Sequence, residues 1–156
     1  MKINFLCINH RTFFTTQPEE AFQSCVRTCD TGWTLYQQGR WQEALPYVGT
    51  AFETAELLLN NRVMAPRIAM DWFLHAQAGL IQVLKKLGHL EACEGIYRGT
   101  IDRLKQEQTS NPEMNATIAQ QIMRLNAERC EVRSDGEPDV WRVQPLGNSQ
   151  SAIVLH

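Results

Sequence analysis

No stretch of this 156-residue chain approaches the roughly 18 to 20 consecutive apolar residues that a membrane-spanning helix needs. A membrane location is therefore not expected. Charge of one sign is also scarce in excess: 15 basic residues face 17 acidic ones, the formal net charge is −2, and neither sign forms a block. A phosphate backbone would find no basic field to bind, so nucleic acid is excluded as the expected partner. The five cysteines, Cys7, Cys25, Cys29, Cys93 and Cys130, are odd in number and scattered. They read as reduced thiols and not as a disulfide framework. The first eleven residues carry one early charge and some apolar side chains. Asn4, Asn9, His10 and Arg11 interrupt them, and no small-residue cleavage site follows, so a secretory leader is not expected. These observations together predict a cytoplasmic protein. Glycine-rich phosphate loops and metal-binding helix motifs are absent too, and no cofactor is expected.

What is present is ordinary globular composition, 44% apolar and 21% charged, in a chain long enough to bury a core without staples. Residues 1–16 are rich in β-branched and aromatic types (Ile3, Phe5, Ile8, Thr12, Phe13, Phe14) and predict an extended arm or short strand. Helical periodicity then takes over. Pro18 and Glu19-Glu20 suit a first turn, and Phe22, Cys25/Val26, Cys29, Trp33 and Tyr36 recur at steps of three and four, predicting a helix over 18–38. A second helix follows Gly39 on the stripe Trp41, Leu45, Val48, Phe52, Ala55 and Leu58/Leu59, ending near Asn60-Asn61. Pro66 opens a third over 65–87, stopped by Gly88. A fourth covers 89–108 despite Gly95 and Gly99, each of which weakens a helix by about 1 kcal/mol relative to alanine unless it permits close helix contact. Asn111-Pro112-Glu113 starts a fifth over 112–130. The expected organisation is an arm at 1–16, an all-α domain of about five helices at 17–131 and an irregular tail at 132–156. The apolar end of that tail, Ala152 to Leu155, is suited to docking.

The most informative stretch is Gln38-Gly39-Arg40-Trp41-Gln42-Glu43-Ala44. A glycine fits where one helix stops in a left-handed turn, an aromatic wedges into the hairpin, and a small alanine lets two helices approach. Leu87-Gly88-His89-Leu90-Glu91-Ala92-Cys93 repeats the logic 49 residues later. The pair resembles the tetratricopeptide repeat family, with Gly32, Leu35, Gly39, Trp41, Ala44 and Ala51 in the family's places in the first unit. Ile81, Leu84, Gly88, Leu90, Cys93 and Tyr97 occupy them less well in the second. The resemblance covers about residues 24–105 and departs from the pattern in three ways. The spacing exceeds the family's roughly 34 residues. Thr28 stands where the family has tryptophan, and no proline closes either unit.

Helical-hairpin repeats of this kind imply a right-handed α-α superhelix whose first helices line a groove, and a function in binding, not catalysis. Carrying the groove positions over gives Val26, Cys29, Trp33 and Tyr36 from the first unit and His75, Ala78, Gln82 and Lys85 from the second. Members that clamp a peptide's terminal carboxylate use lysine and asparagine there. With Cys29 and Trp33 in the corresponding places, no such clamp is implied. Trp33 and Tyr36 suit an apolar peptide or an amphipathic helix, or else they pack in the core between the first two helices. The size and repeat number also resemble the helical-repeat chaperones of bacterial secretion systems. The implied function is an adaptor or chaperone-like protein-binding module; the alternative is a homo-oligomer or structural subunit assembled through the terminal segments.

Three sets of residues offer chemistry. Cys7-x2-His10 with Cys25-x3-Cys29 has the donors for a tetrahedral zinc, against which stands the plainer reading of small core thiols on a helix face. His75 and Cys93 could pair as base and nucleophile, but no oxyanion donor or cleft is evident around them. The acidic pairs Glu19-Glu20 and Glu53/Glu56 read as a helix N-terminus and a solvated face. None of these makes an enzyme, and no metal site or catalytic residue is assigned.

Overall fold

The computed structural model describes residues 4–132, and these are entirely helical apart from short connections. Six α-helices follow one another: α1 (Ile8–Thr16), α2 (Pro18–Gln37), α3 (Trp41–Asn61), α4 (Pro66–Lys86), α5 (Leu90–Ser110) and α6 (Asn115–Val132). A single 3-10 turn, Pro112–Met114, leads into α6. The all-α expectation holds, and the helix starts at Pro18 and Pro66 follow from proline's preset φ at a position where its missing N–H costs nothing. The expected tail at 132–156 lies, but for its first residue, outside the described residues.

The two hairpin turns are the same structure. Gly39 has φ +74° and Gly88 has φ +75°, a region that side chains disfavour. At the first turn, Gly39 N–H donates to Tyr36 O at 3.0 Å and Arg40 N–H to Leu35 O at 2.9 Å. At the second, Gly88 N–H donates to Lys85 O and His89 N–H to Leu84 O at the same distances. This paired bonding satisfies carbonyls that a helix end leaves orphaned. It reverses the chain in three residues, folding α2 onto α3 and α4 onto α5.

Each helix packs on its neighbours in chain order, with α3 sandwiched between α2 and α4, and α5 between α4 and α6. Close approach of α2 and α3 depends on Gly32, where a Cβ would stand 2.6 Å from Val48 Cγ1, and on Ala44 and Ala51, both fully buried. Aromatic contacts carry the packing into α4: Phe22 meets Trp72 edge-on at 5.6 Å and Phe52 stacks on Phe73 at 5.3 Å. Beside α5, the side chains of Arg103 and Glu107 are buried in a polar network with the end of α3. Arg103 donates to Asn60 Oδ1 at 2.7 Å and pairs with Glu107, which also accepts from Arg62 at 2.8 Å. No helix among the described residues is long and apolar enough to cross a membrane.

The expected N-terminal arm is replaced by α1. Its threonines satisfy the short helix locally: Thr12 Oγ1 donates to Ile8 O at 2.9 Å and Thr15 Oγ1 to Arg11 O at 2.8 Å. Phe14 is buried, and α1 lies against α3 and α2. Burial of one aromatic face on a preformed helical layer has overridden the strand propensity of the segment.

Candidate functional site

A second buried polar feature of the helical layer is centred on Glu53, in the middle of α3. This carboxylate is 6% exposed and is fully engaged. Phe5 N–H donates to Oε1 at 2.7 Å, Leu6 N–H donates to Oε2 at 3.0 Å, and the Arg11 guanidinium donates to Oε2 at 2.7 Å. Two consecutive peptide groups at the bend that precedes α1 thus meet both oxygens of one side chain, and a cation neutralises it. Charge-assisted hydrogen bonds of this kind are about twice as strong as neutral ones. One turn earlier on the same face, Gly49 leaves room for the Phe5 ring, which occupies the space a Cβ would need. Leu6 is buried beside it. The result is a seat on α3 that holds the chain's own N-terminal segment by its backbone through Glu53 and by its side chain over Gly49.

The sequence reading placed Glu53 with Glu56 on a solvated face. The burial of Glu53 corrects that: it lies one turn after Gly49, and the small residue lets the N-terminal segment cover it. A glycine inside an otherwise apolar helix, followed four residues later by a carboxylate, was the available signal. Glu56 remains half-buried.

The eight groove positions are divided by the structure. Val26, Cys29 and Gln82 are buried, at 6%, 4% and 5% exposure. The first two belong to the hydrophobic core, so a partner cannot reach them on the folded chain. Trp33 and Tyr36 are half-buried and stacked on each other at 5.7 Å with an interplanar angle of 14°. His75 is half-buried and meets Trp72 edge-on at 5.9 Å, and Ala78 is half-buried on the same helix. The Lys85 ammonium is buried with no hydrogen-bond partner among the described residues, and its charge acts on Cys93 and Glu128. The fully buried Tyr97 donates to Glu128 Oε2 at 3.5 Å, and burial holds both the Glu128 carboxyl and the Tyr97 phenol above their usual ranges. At the same end of α4, the Lys86 ammonium stands over the Trp41 ring at 5.6 Å.

The cysteines do not converge. Cys7 and His10 sit together at the exposed start of α1, with Sγ and Nδ1 3.2 Å apart, while Cys25 and Cys29 are buried in α2. Among the described residues no three His, Cys, Asp or Glu side chains gather as a metal site. Cys93 is buried, with its thiol directed to Ile81 O at 3.9 Å and pushed up to about 11 by burial. It is not paired with His75, which lies against Trp72.

Comparison of the chain with protein-family models, with curated proteins and with solved structures gives no match.

Proposed function

We propose that this chain is a protein-interaction module of the tetratricopeptide type, with two helical-hairpin units, that holds a peptide or helix of a partner protein against its helical layer. Two like turns at Gly39 and Gly88, the close approach at Gly32 and the buried Ala44 and Ala51 support the repeat reading. The observation that carries the function is the seat on α3. Glu53 and Gly49 already hold the chain's own segment before α1, through backbone and side chain at once. That is the chemistry of peptide recognition: main-chain hydrogen bonds give affinity and side-chain pockets give specificity.

Binding of random dodecapeptides displayed on phage to the immobilised full chain tests this reading. Enrichment of a sequence class that binds the free chain in solution is the expected result; a chain that enriches nothing, and that co-purifies with no protein from its native cell, would overturn it.

A second reading, assembly of copies through the N-terminal segment, is favoured by α1, which leaves Ile8 74% and Phe13 47% exposed. Light scattering decides it. Ile8→Ser with Phe13→Ser halves the mass if α1 is the contact, and a monomer before and after removes this reading.

A further inference from the structure

Beyond the seat of Phe5, an open cleft of about 420 Å³ runs between α3 and α5. This is within the range of roughly 300–1,000 Å³ of sites that take a compact ligand. The stacked pair Phe52 and Phe73 lies along it, and Phe5 closes one side. From α5 the cleft is faced by Gly95 and Gly99, one turn apart. A Cβ at either would meet nothing within 4 Å, so internal packing does not require glycine there. Each glycine nevertheless weakens the helix by about 1 kcal/mol relative to alanine, and each leaves the α5 backbone bare towards the cleft.

Among the charged residues that line the cleft, Arg11 and Glu53 pair with each other, which leaves a net negative lining. Glu56 and Glu91 line the cleft and form no ion pair among the described residues, whereas Glu53, Glu94, Glu107 and Glu128 each face an arginine. The segment already seated next to it shows what this surface accepts: an apolar side chain laid over a glycine, backbone N–H groups and a cation delivered to a carboxylate.

We propose that the cleft between α3 and α5 docks a segment of a partner protein carrying a bulky apolar side chain beside a lysine or arginine. The apolar side chain lies on Phe52 and Ile96, the backbone passes Gly95 and Gly99, and the cation meets Glu91 and Glu56. The docked segment continues the line that Phe5 begins. This inference rests on the module reading above and names its partner chemistry and its face.

The test uses the full chain and the dodecapeptides enriched on it, resynthesised with fluorescein and titrated by anisotropy. Enriched sequences are expected to carry a bulky apolar residue within two positions of lysine or arginine. Their Kd should rise about tenfold or more in Gly99→Leu, which fills the cleft while favouring the helix, and in Glu91→Lys, which reverses an exposed charge. Met123→Ala, at an exposed position of α6 outside the cleft lining, should leave Kd unchanged, with circular dichroism confirming helix content in every variant. Enriched peptides without a basic residue, or a Kd indifferent to both Gly99→Leu and Glu91→Lys, overturn the proposal. If Trp33→Ala abolishes binding and the cleft variants do not, the module reading stands and this cleft is not its site. If no peptide is enriched, this proposal falls, and if no protein co-purifies from the native cell either, the module reading falls with it.

Discussion

Phe5 rests on Gly49 so closely that a side chain at residue 49 would have to stand inside its ring. Glycine at this point of α3 is therefore a condition for seating the N-terminal segment. In Gly49→Ala the segment must lift, exposing the Phe5 and Leu6 amides that Glu53 now holds. Hydrogen exchange at those two amides should accelerate by about tenfold or more, a local loss of about 1.4 kcal/mol. The global melt should change much less, because alanine favours the helix itself by about 1 kcal/mol. Unchanged exchange at Phe5 and Leu6 would show that the ring has room to move aside.

Removing the carboxylate tests the other half of the seat. Glu53→Ala leaves two peptide groups and the Arg11 guanidinium without their acceptor. Hydrogen bonds to charged groups contribute about 1.5–3 kcal/mol. The segment can, however, undock into water, which caps the loss at its own docking free energy. A destabilisation of about 2 kcal/mol in urea unfolding is expected, with Glu53→Gln intermediate, since an amide keeps one accepting oxygen. The half-buried neighbour serves as control: Glu56→Ala should change stability by less than about 0.5 kcal/mol. Equal effects at the two sites would place Glu53 on the solvated face where the sequence first put it.

That contrast also shows what was legible in the sequence. Helix ends were, because they are written in local chemistry. Proline at residues 18 and 66 presets the first turn, and glycine at residues 39 and 88 is needed for a left-handed stop, so α2 to α5 begin and end within about two residues of expectation. Features decided by distant contacts were not. α1 forms because Leu6 and Phe14 find a layer to cover, against the β propensity of their own segment. Val26 and Cys29, placed in the groove by analogy, lie in the core because α3 packs tightly against Gly32. Arg103 and Glu107 stand one turn apart on α5, and Asn60 and Arg62 at the end of α3 enclose them. Nothing in the spacing of charges records which side of a helix a later element will cover.

Thiol accessibility provides an independent check of the core. Cys7 and Cys130 are exposed, while Cys25, Cys29 and Cys93 are buried. Burial also raises the Cys29 and Cys93 thiols above the ordinary range, so neither supplies the reactive thiolate at neutral pH. Titration of the native chain with an aromatic disulfide should show two fast thiols, and the other three only on unfolding. A third fast thiol in the folded chain would mean that the α2 or α5 face opens readily.

Gly95 and Gly99 were expected to weaken α5 unless they served close packing, and no side chain or backbone lies against either. Gly95→Ala and Gly99→Ala should therefore each stabilise the chain by about 0.5–1 kcal/mol, measured by urea unfolding. The gain comes from the helix and from a stiffer unfolded chain. Destabilisation would reveal a neighbour pressing on this face.

The stability of the chain should fall in alkali, and Cys93 is a main reason. Its thiol is pushed up to about 11 in the folded chain by burial, although the nearby Lys85 charge works the other way. In the unfolded chain it titrates near the ordinary thiol value of about 8.5. Below that value both states hold the proton and stability is complete. Between the two values the unfolded chain releases its proton while the folded chain keeps it, so each step up in pH favours unfolding. The interval corresponds to a loss of about 3 kcal/mol if fully expressed. The Tyr97 phenol, also raised by burial and by Glu128, adds a loss of the same sign at still higher pH. Urea midpoints at about pH 8 and pH 10.5 measure the slope. Cys93→Ala lowers stability at both by leaving a small void, but it should decline less steeply between them than the parent chain; parallel slopes would show that the thiol reaches solvent before the fold opens.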